Sequence, residues 1–138
     1  SSYSFKKFAH KCINELFDAN KSGNAIIYRT ATNRFMAYCE RDVLLDEIDY
    51  TILSGFIHYL EVKGLKTNSV SNYFRTLRAI YNKAIKHKLV SRDNYPFHGV
   101  LIALIRWVYS SLSYHVFSTK PKLYFVLGSH NAFGLVCR

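Results

Sequence analysis

Acidic residues are scarce in this chain and unevenly placed along it. The 138 residues include nine Asp and Glu against 19 Lys and Arg, which gives a formal net charge of +10 at neutral pH. No acidic residue follows Asp93. An excess of positive charge favours a polyanionic partner, either nucleic acid or an anionic membrane surface.

Cysteine is also rare, with three residues that lie far apart and form no CxxC spacing: Cys12, Cys39 and Cys137. The odd number and wide spacing argue against a disulfide framework or a zinc knuckle and are typical of a reducing compartment. The N-terminus is polar and charged from Lys6 onward, unlike a signal peptide, so a cytoplasmic location is expected.

Metal-ligand spacing is missing from the histidines, and we predict no metal site, no cofactor and no small-molecule substrate. The six histidines are His10, His58, His87, His98, His115 and His130. The acidic pair Asp46 and Glu47 precedes a predicted helix and is interpreted as linker charge, not as an acid–base pair.

A long uncharged apolar run is lacking as well. The nearest approach to a membrane span is the segment 100–117, which is at the short limit of length and has Arg106 near its middle. An arginine at that depth costs several kcal/mol. We therefore do not expect a membrane-bound protein, although attachment through this segment stays open as an alternative.

Helical periodicity dominates the first two thirds of the chain. Apolar residues recur at spacings of three and four in successive segments, which polar links separate. These segments are predicted at 4–21, about 25–40, 50–63 and 64–88. They predict an all-α fold, a compact four-helix bundle from about Tyr3 to Phe97.

Local signals mark where these helices begin and end. Ser4 or Ser2 is a candidate N-cap for the first helix, and Asp49 is one for the third. Gly64 is the expected stop of the third helix. In the extended link between the second and third helices, Leu45 and Ile48 are expected to reach the core. The predicted inner face of the second helix comprises Ile27, Tyr28, Ala31, Phe35, Tyr38 and Cys39.

The fourth helix has the most informative sequence pattern, because it combines an apolar face with a basic one. Thr67 or Asn68 is its expected N-cap, and its polar first turn offers free N–H groups. Its apolar face comprises Val70, Tyr73, Phe74, Leu77, Ile80, Tyr81, Ala84 and Ile85. Another side carries Arg75, Arg78, Asn82 and Lys86. Such a helix can dock on a core and present its head and one flank to phosphate.

The character of the chain changes after Phe97. The tail 98–138 is apolar, aromatic and serine-rich, and it contains no acidic residue. It shows no clean helical stripe, and the segment 123–127 is typical of a strand. One hypothesis is that this tail is a truncated or out-of-frame product.

The segment 48–97 resembles the core-binding, SAM-like domain of tyrosine recombinases, the phage-integrase family, and most of all the integrases of mobile elements. The likeness rests on a helix that ends in YLEVKGL, a polar TNS cap, the run YFRTLRAIYNKAI and a closing YPF. The first two helices match more loosely, through Phe5, Phe8, Tyr28, Phe35 and Tyr38.

The resemblance implies a SAM-like four-helix domain (1–97) that clamps one face of duplex DNA opposite a separate catalytic domain, in DNA integration and recombination. In the family the contacts come largely from the second and fourth helices. Carried over by position, they fall on Arg29, Asn33 and Arg34 in the second helix and on Lys66, Thr67, Asn68, Ser69, Asn72, Arg75 and Arg78 in the fourth. Most of them should go to phosphate.

The catalytic part of that family has no counterpart here. The residues after Phe97 are too few for the catalytic domain, and the segment 115–118 has serine where the family's HxxR motif has arginine. We therefore expect no catalytic residue and no strand cleavage. Two alternatives stay open: a helical module that binds other recombinase subunits, and a non-functional recombinase remnant. A purely structural role for Arg75 and Arg78, paired with Glu61 or Asp49, also stays open.

Overall fold

The computed structural model describes residues 3–100 and Leu104. This part of the chain is all-α, as predicted. Residues 3–100 fall within a compact unit that spans Ser1–Leu101, and Leu104 belongs to a second unit. The α-helices of residues 3–100 include α1 (Phe5–Asp18), α2 (Ser22–Cys39), α3 (Tyr50–Val62) and α4 (Thr67–Lys86), and short 3₁₀ turns lie at Leu45–Glu47 and Arg92–Asn94. Residues 97–100 are also helical.

Two predicted N-caps and one predicted helix stop are confirmed. The Lys7 N–H donates to Ser4 Oγ at 3.0 Å, and the Ile52 N–H donates to Asp49 Oδ1 at 2.9 Å. Each bond satisfies a backbone donor of a first helical turn. Gly64 follows α3 with a φ of 80°, a left-handed conformation that glycine adopts without a steric penalty.

The second helix begins earlier than the sequence predicted, at Ser22 instead of Ala25. Asn20 takes the left-handed position after α1, with a φ of 58°, and the Lys21 N–H donates back to the Leu16 carbonyl at 2.8 Å. This closure reverses the chain within three residues. The polar residues that follow were predicted as a loop and instead form the first turn of α2.

Aromatic side chains from three helices meet in the core. Phe35 of α2 and Phe56 of α3 pack edge to face with centroids 5.2 Å apart, and Phe74 of α4 lies 5.5 Å from Phe56. Leu45 and Ile48 are buried, as predicted for the link before α3. Such aromatic packing fixes α2, α3 and α4 relative to one another.

The inner face of α2 was predicted only in part. Ala31 and Phe35 are buried, but Ile27 is 53% exposed, and Ala25 and Thr32 are buried although they were not assigned to the core. Apolar residues of α2 are spread around the helix, so its periodicity does not single out one face.

The apolar face of α4 is confirmed. Val70, Phe74, Leu77, Ile80 and Tyr81 are buried, together with Ala84, while Tyr73 and Ile85 are half-buried. Because this face is turned to the core, Arg75 and Lys86 are exposed on the opposite side.

Two predictions for the tail, the strand at 123–127 and most of the segment 100–117, fall outside the described residues. The domain boundary after residue 97 stays a prediction. Among the residues that the structure describes, no helix has the length and apolarity needed to cross a membrane.

Candidate nucleic-acid interface

An open groove of about 470 Å³ lies between α2 and α4. Its α2 wall is formed by Ile26, Ile27 and Thr30. Its α4 wall is formed by Ser69, Asn72, Tyr73, Arg75 and Thr76. Three of the ten predicted contact residues, Ser69, Asn72 and Arg75, therefore meet in one groove.

Free hydrogen-bond donors in this groove come from α4. The Thr30 hydroxyl donates to the Ile26 carbonyl at 2.9 Å, and the Thr76 hydroxyl donates to the Asn72 carbonyl at 3.1 Å. Both threonine hydroxyls are thus engaged within their own helices. The side chains of Ser69, Asn72 and Arg75 make no hydrogen bond within residues 3–100, and all three are exposed.

Charge is segregated between the helices. Neither α2 nor α4 contains an acidic residue. Together they carry Arg29, Arg34, Arg75, Arg78, Lys83 and Lys86. The acidic residues of the described part lie on α1, on α3 and in the links before α3 and after α4. The two helices that form the groove are therefore the ones that repel an anion least.

Ion pairing leaves most of these cations available. Within residues 3–100 the ion pairs are Arg41–Glu47, at 3.2 Å, and Lys83–Glu15, at 2.6 Å. The alternative in which Arg75 and Arg78 pair with Glu61 or Asp49 is therefore not seen. Only Lys83, among the cations of α2 and α4, is neutralised by a carboxylate in this part of the chain.

The Lys83–Glu15 pair shifts the titration of both groups. Its hydrogen bond is the main cause that raises the pKa of Lys83 and lowers the pKa of Glu15. Both side chains are more than a third exposed. The pair therefore keeps its charges at neutral pH, and solvent screens it.

The N-terminus of α4 opens beside the groove. Lys66 occupies the N-cap position and makes no side-chain cap, so the prediction that Thr67 or Asn68 would cap this helix is wrong. The first-turn N–H groups consequently have no side-chain acceptor, in contrast to those of α1 and α3. Ser69 belongs both to this turn and to the groove wall. Uncapped helix N-termini are favourable positions for phosphate.

The three predicted residues of α2 do not share one side of that helix. Arg29 and Arg34 are five positions apart, which places them about 140° from each other around the axis. The Arg29 guanidinium lies over the Phe17 ring of α1, 5.8 Å from its centroid. Arg29 is therefore drawn toward α1, whereas Arg34 is half-buried and Asn33 is exposed between them.

The remaining predicted residues of α4 and of its approach do not line the groove. Lys66 and Asn68 are exposed in the first turn of α4 and its approach, and Thr67 and Arg78 are half-buried. Sequence reasoning missed Ile26, Ile27 and Thr30. One available signal was the adjacent pair Ile26–Ile27, because neighbouring helical positions differ by about 100° and cannot both face the centre of one core.

No metal-binding cluster appears in the described part of the chain, where no three His, Cys, Asp or Glu side chains are placed to hold an ion. The free thiols there are Cys12, which is buried, and Cys39, which is half-buried. Burial is the main cause that raises the pKa of both thiols, that of Cys39 to about 11. Neither thiol is activated for nucleophilic chemistry.

Most of the chain matches a known protein family. The model of the phage integrase SAM-like domain matches residues 4–100. No curated protein and no solved structure shows significant similarity to the chain. The match covers α1 to α4 and confirms the resemblance seen in the sequence. The chain therefore belongs to the phage integrase SAM-like domain family and is related to the tyrosine recombinases.

Proposed function

We propose that this chain binds duplex DNA through the exposed faces of α2 and α4, in the role of a recombinase core-binding domain. The observation that carries the proposal is the acid-free pair of helices around the groove, whose arginines have no carboxylate partner within residues 3–100. Phosphate is the group that such a surface accommodates best.

Different parts of the surface formed by α2 and α4 are suited to different contacts with DNA. The uncapped N-terminus of α4, with Lys66 before it, suits one phosphate through backbone N–H groups and a nearby charge. Arg75 lies two turns further along the same helix and can contact another backbone position or a base edge. Arg34 and Arg78 flank these sites and add positive potential, although their half-buried side chains are less free to reach outward.

The family domain that matches is non-catalytic. The proposed role of this chain is accordingly positioning on DNA, without strand cleavage. Site-specific recombination requires several DNA-bound subunits, and other recombinase subunits are therefore a proposed second class of partner.

The test is a salt titration of binding to a mixed-sequence duplex, measured with the full chain by fluorescence anisotropy. If about five phosphates are neutralised, log K should fall against log salt with a slope of about −4.5. Arg75→Ala/Arg78→Ala should weaken binding and reduce the magnitude of the slope by about two.

Arg41→Ala is the matched control, because it removes an arginine of the α2–α3 link that Glu47 already pairs. It should change the affinity much less than either arginine of α4. Absence of binding at low salt, or equal losses for Arg41 and the α4 arginines, would refute DNA binding through this surface.

A further inference from the structure

Two isoleucines occupy an unexpected place in the groove between α2 and α4. Ile26 is 48% exposed and Ile27 is 53% exposed, and both form the groove wall opposite Asn72 and Arg75. They contribute little to the core, which α2 reaches through Ala25, Ala31, Thr32 and Phe35. Their exposure is therefore not explained by folding.

We infer that Ile26 and Ile27 contact the methyl groups of thymine, so that the groove selects DNA sites by direct readout. The inference rests on the proposed function and goes beyond it, because phosphate binding alone gives no sequence preference. It makes the α2 wall of the groove the part that distinguishes one sequence from another.

The charges around the groove decide which partner suits these isoleucines. A protein partner or an uncharged lipid would have to place its apolar surface beside Arg75 and within an acid-free pair of helices. Duplex DNA meets both conditions, because it is a polyanion that also carries one exposed apolar group. That group is the thymine C5-methyl, which lies in the major groove, where an α-helix fits.

The α4 wall of the groove supplies hydrogen-bonding side chains that can contact bases beside the thymine methyl group. Asn72 and Arg75 are three positions apart on α4, so their side chains are neighbours on the helix surface. Asparagine pairs well with the N6 and N7 of adenine, and arginine pairs with the O6 and N7 of guanine. An apolar wall facing these donors therefore suits a step in which a thymine methyl lies next to a purine edge.

The experiment compares two duplexes that differ only in methyl groups. One is a mixed-sequence duplex, and the other is the same duplex with deoxyuridine at every thymine, which retains all hydrogen-bonding groups. The full chain should bind the thymine duplex about three to ten times more tightly, as expected for one or two buried methyl groups.

Ile26→Gln/Ile27→Gln is the variant that should abolish this preference, because glutamine is a good helix former without an apolar end. Both positions are exposed, so the fold should persist, and circular dichroism checks this. The salt slope should stay unchanged, because no charge is altered. Val62→Gln is the matched control, since Val62 is 74% exposed on α3 and does not belong to the groove.

The possible outcomes distinguish failure of this inference from failure of the proposed function. Equal binding of both duplexes by the unmodified chain would overturn methyl readout and leave DNA binding intact. A thymine preference that persists in the isoleucine variant, or an equal loss of affinity for both duplexes, would also overturn it. Absence of binding to either duplex would refute the proposed function and this inference together.

Discussion

Lys83 Nζ lies 2.6 Å from Glu15 Oε2, a contact that joins α4 to α1 across 68 positions of sequence. The pair removes one positive charge from the helix that is proposed to face DNA. Loss of the Glu15 carboxylate would therefore restore the full charge of Lys83 on that surface.

Glu15→Gln should strengthen DNA binding about two- to threefold, because Lys83 then regains its full charge toward an anion. The cost in the free energy of unfolding should be at most about 0.5 kcal/mol, since the pair is more than a third exposed. Anisotropy titrations and urea unfolding measure the two quantities. Asp18→Asn is the control, because it changes the net charge equally without releasing a cation of α4. An equal gain from both variants would show that net charge alone is responsible.

Gly55→Ala should lower the free energy of unfolding by about 1–3 kcal/mol, the usual range for forcing an extra methyl into a packed site. A Cβ at Gly55 would collide with the hydroxyl of Tyr38. Tyr38 is held between Phe56 and Tyr59, with centroids 5.4 Å from each, so it cannot move without disturbing the aromatic core. Urea unfolding is the measurement.

The control for that substitution is Gly23→Ala in the first turn of α2. A Cβ at Gly23 would meet nothing within 4 Å, and its φ is not in the left-handed range. Alanine should therefore stabilise the protein by about 0.5–1 kcal/mol, because it loses less backbone entropy on folding. Equal effects at the two glycines would contradict the packing argument.

Cys39 should make the stability of the protein sensitive to alkaline pH. Burial raises the pKa of its thiol from 9.0 to about 11, so the unfolded chain loses this proton at lower pH than the folded chain does. The contribution of the buried Cys39 thiol to the free energy of unfolding is fully present below pH 9. It is lost as the pH rises toward 11, because the unfolded state then binds fewer protons than the folded state does.

The measurement is thermal unfolding between pH 8 and pH 11 for the unmodified chain and for Cys39→Ala, with the range set by that pKa. The fall in Tm with rising pH should be smaller in the variant. The tyrosines contribute in the same direction in both proteins, because burial also raises the pKa of Tyr38 and Tyr81. Parallel curves would show that the Cys39 thiol is not protected in the folded state.

Local signals made much of the fold predictable. Ser4 and Asp49 precede apolar stripes and act within one helical turn, and Gly64 supplies a conformation that few other residues adopt. The stripe of α4 is equally informative, because it is confined to one side of the helix. Such features depend on neighbours in sequence and need no knowledge of tertiary packing.

The groove could not be predicted from the sequence of any single helix. Ile27 is apolar and was assigned to the core, yet its position around α2 places it in a gap that only the arrangement of α2 and α4 creates. The pairing of Lys83 with Glu15 and the position of Arg29 over Phe17 likewise follow from packing between helices distant in sequence. Family resemblance pointed to α2 and α4, the helices that line the groove, but it did not identify which side chains meet there.

Arg29 provides the last test, because the resemblance placed it among the DNA contacts whereas the structure draws it toward α1. Its guanidinium lies over the Phe17 ring, about 140° around α2 from Arg34, and it forms no part of the groove wall. Arg29→Ala should therefore reduce DNA affinity clearly less than Arg75→Ala does, although both remove one charge. It should lower the free energy of unfolding by about 0.5–1 kcal/mol through the lost cation–π contact. Lysine at position 29 can still lie over the ring, so Arg29→Lys should restore part of that stability. Equal losses of affinity for the alanine variants at 29 and 75 would mean that Arg29 leaves Phe17 when DNA binds and that the interface extends around α2 to its α1 side.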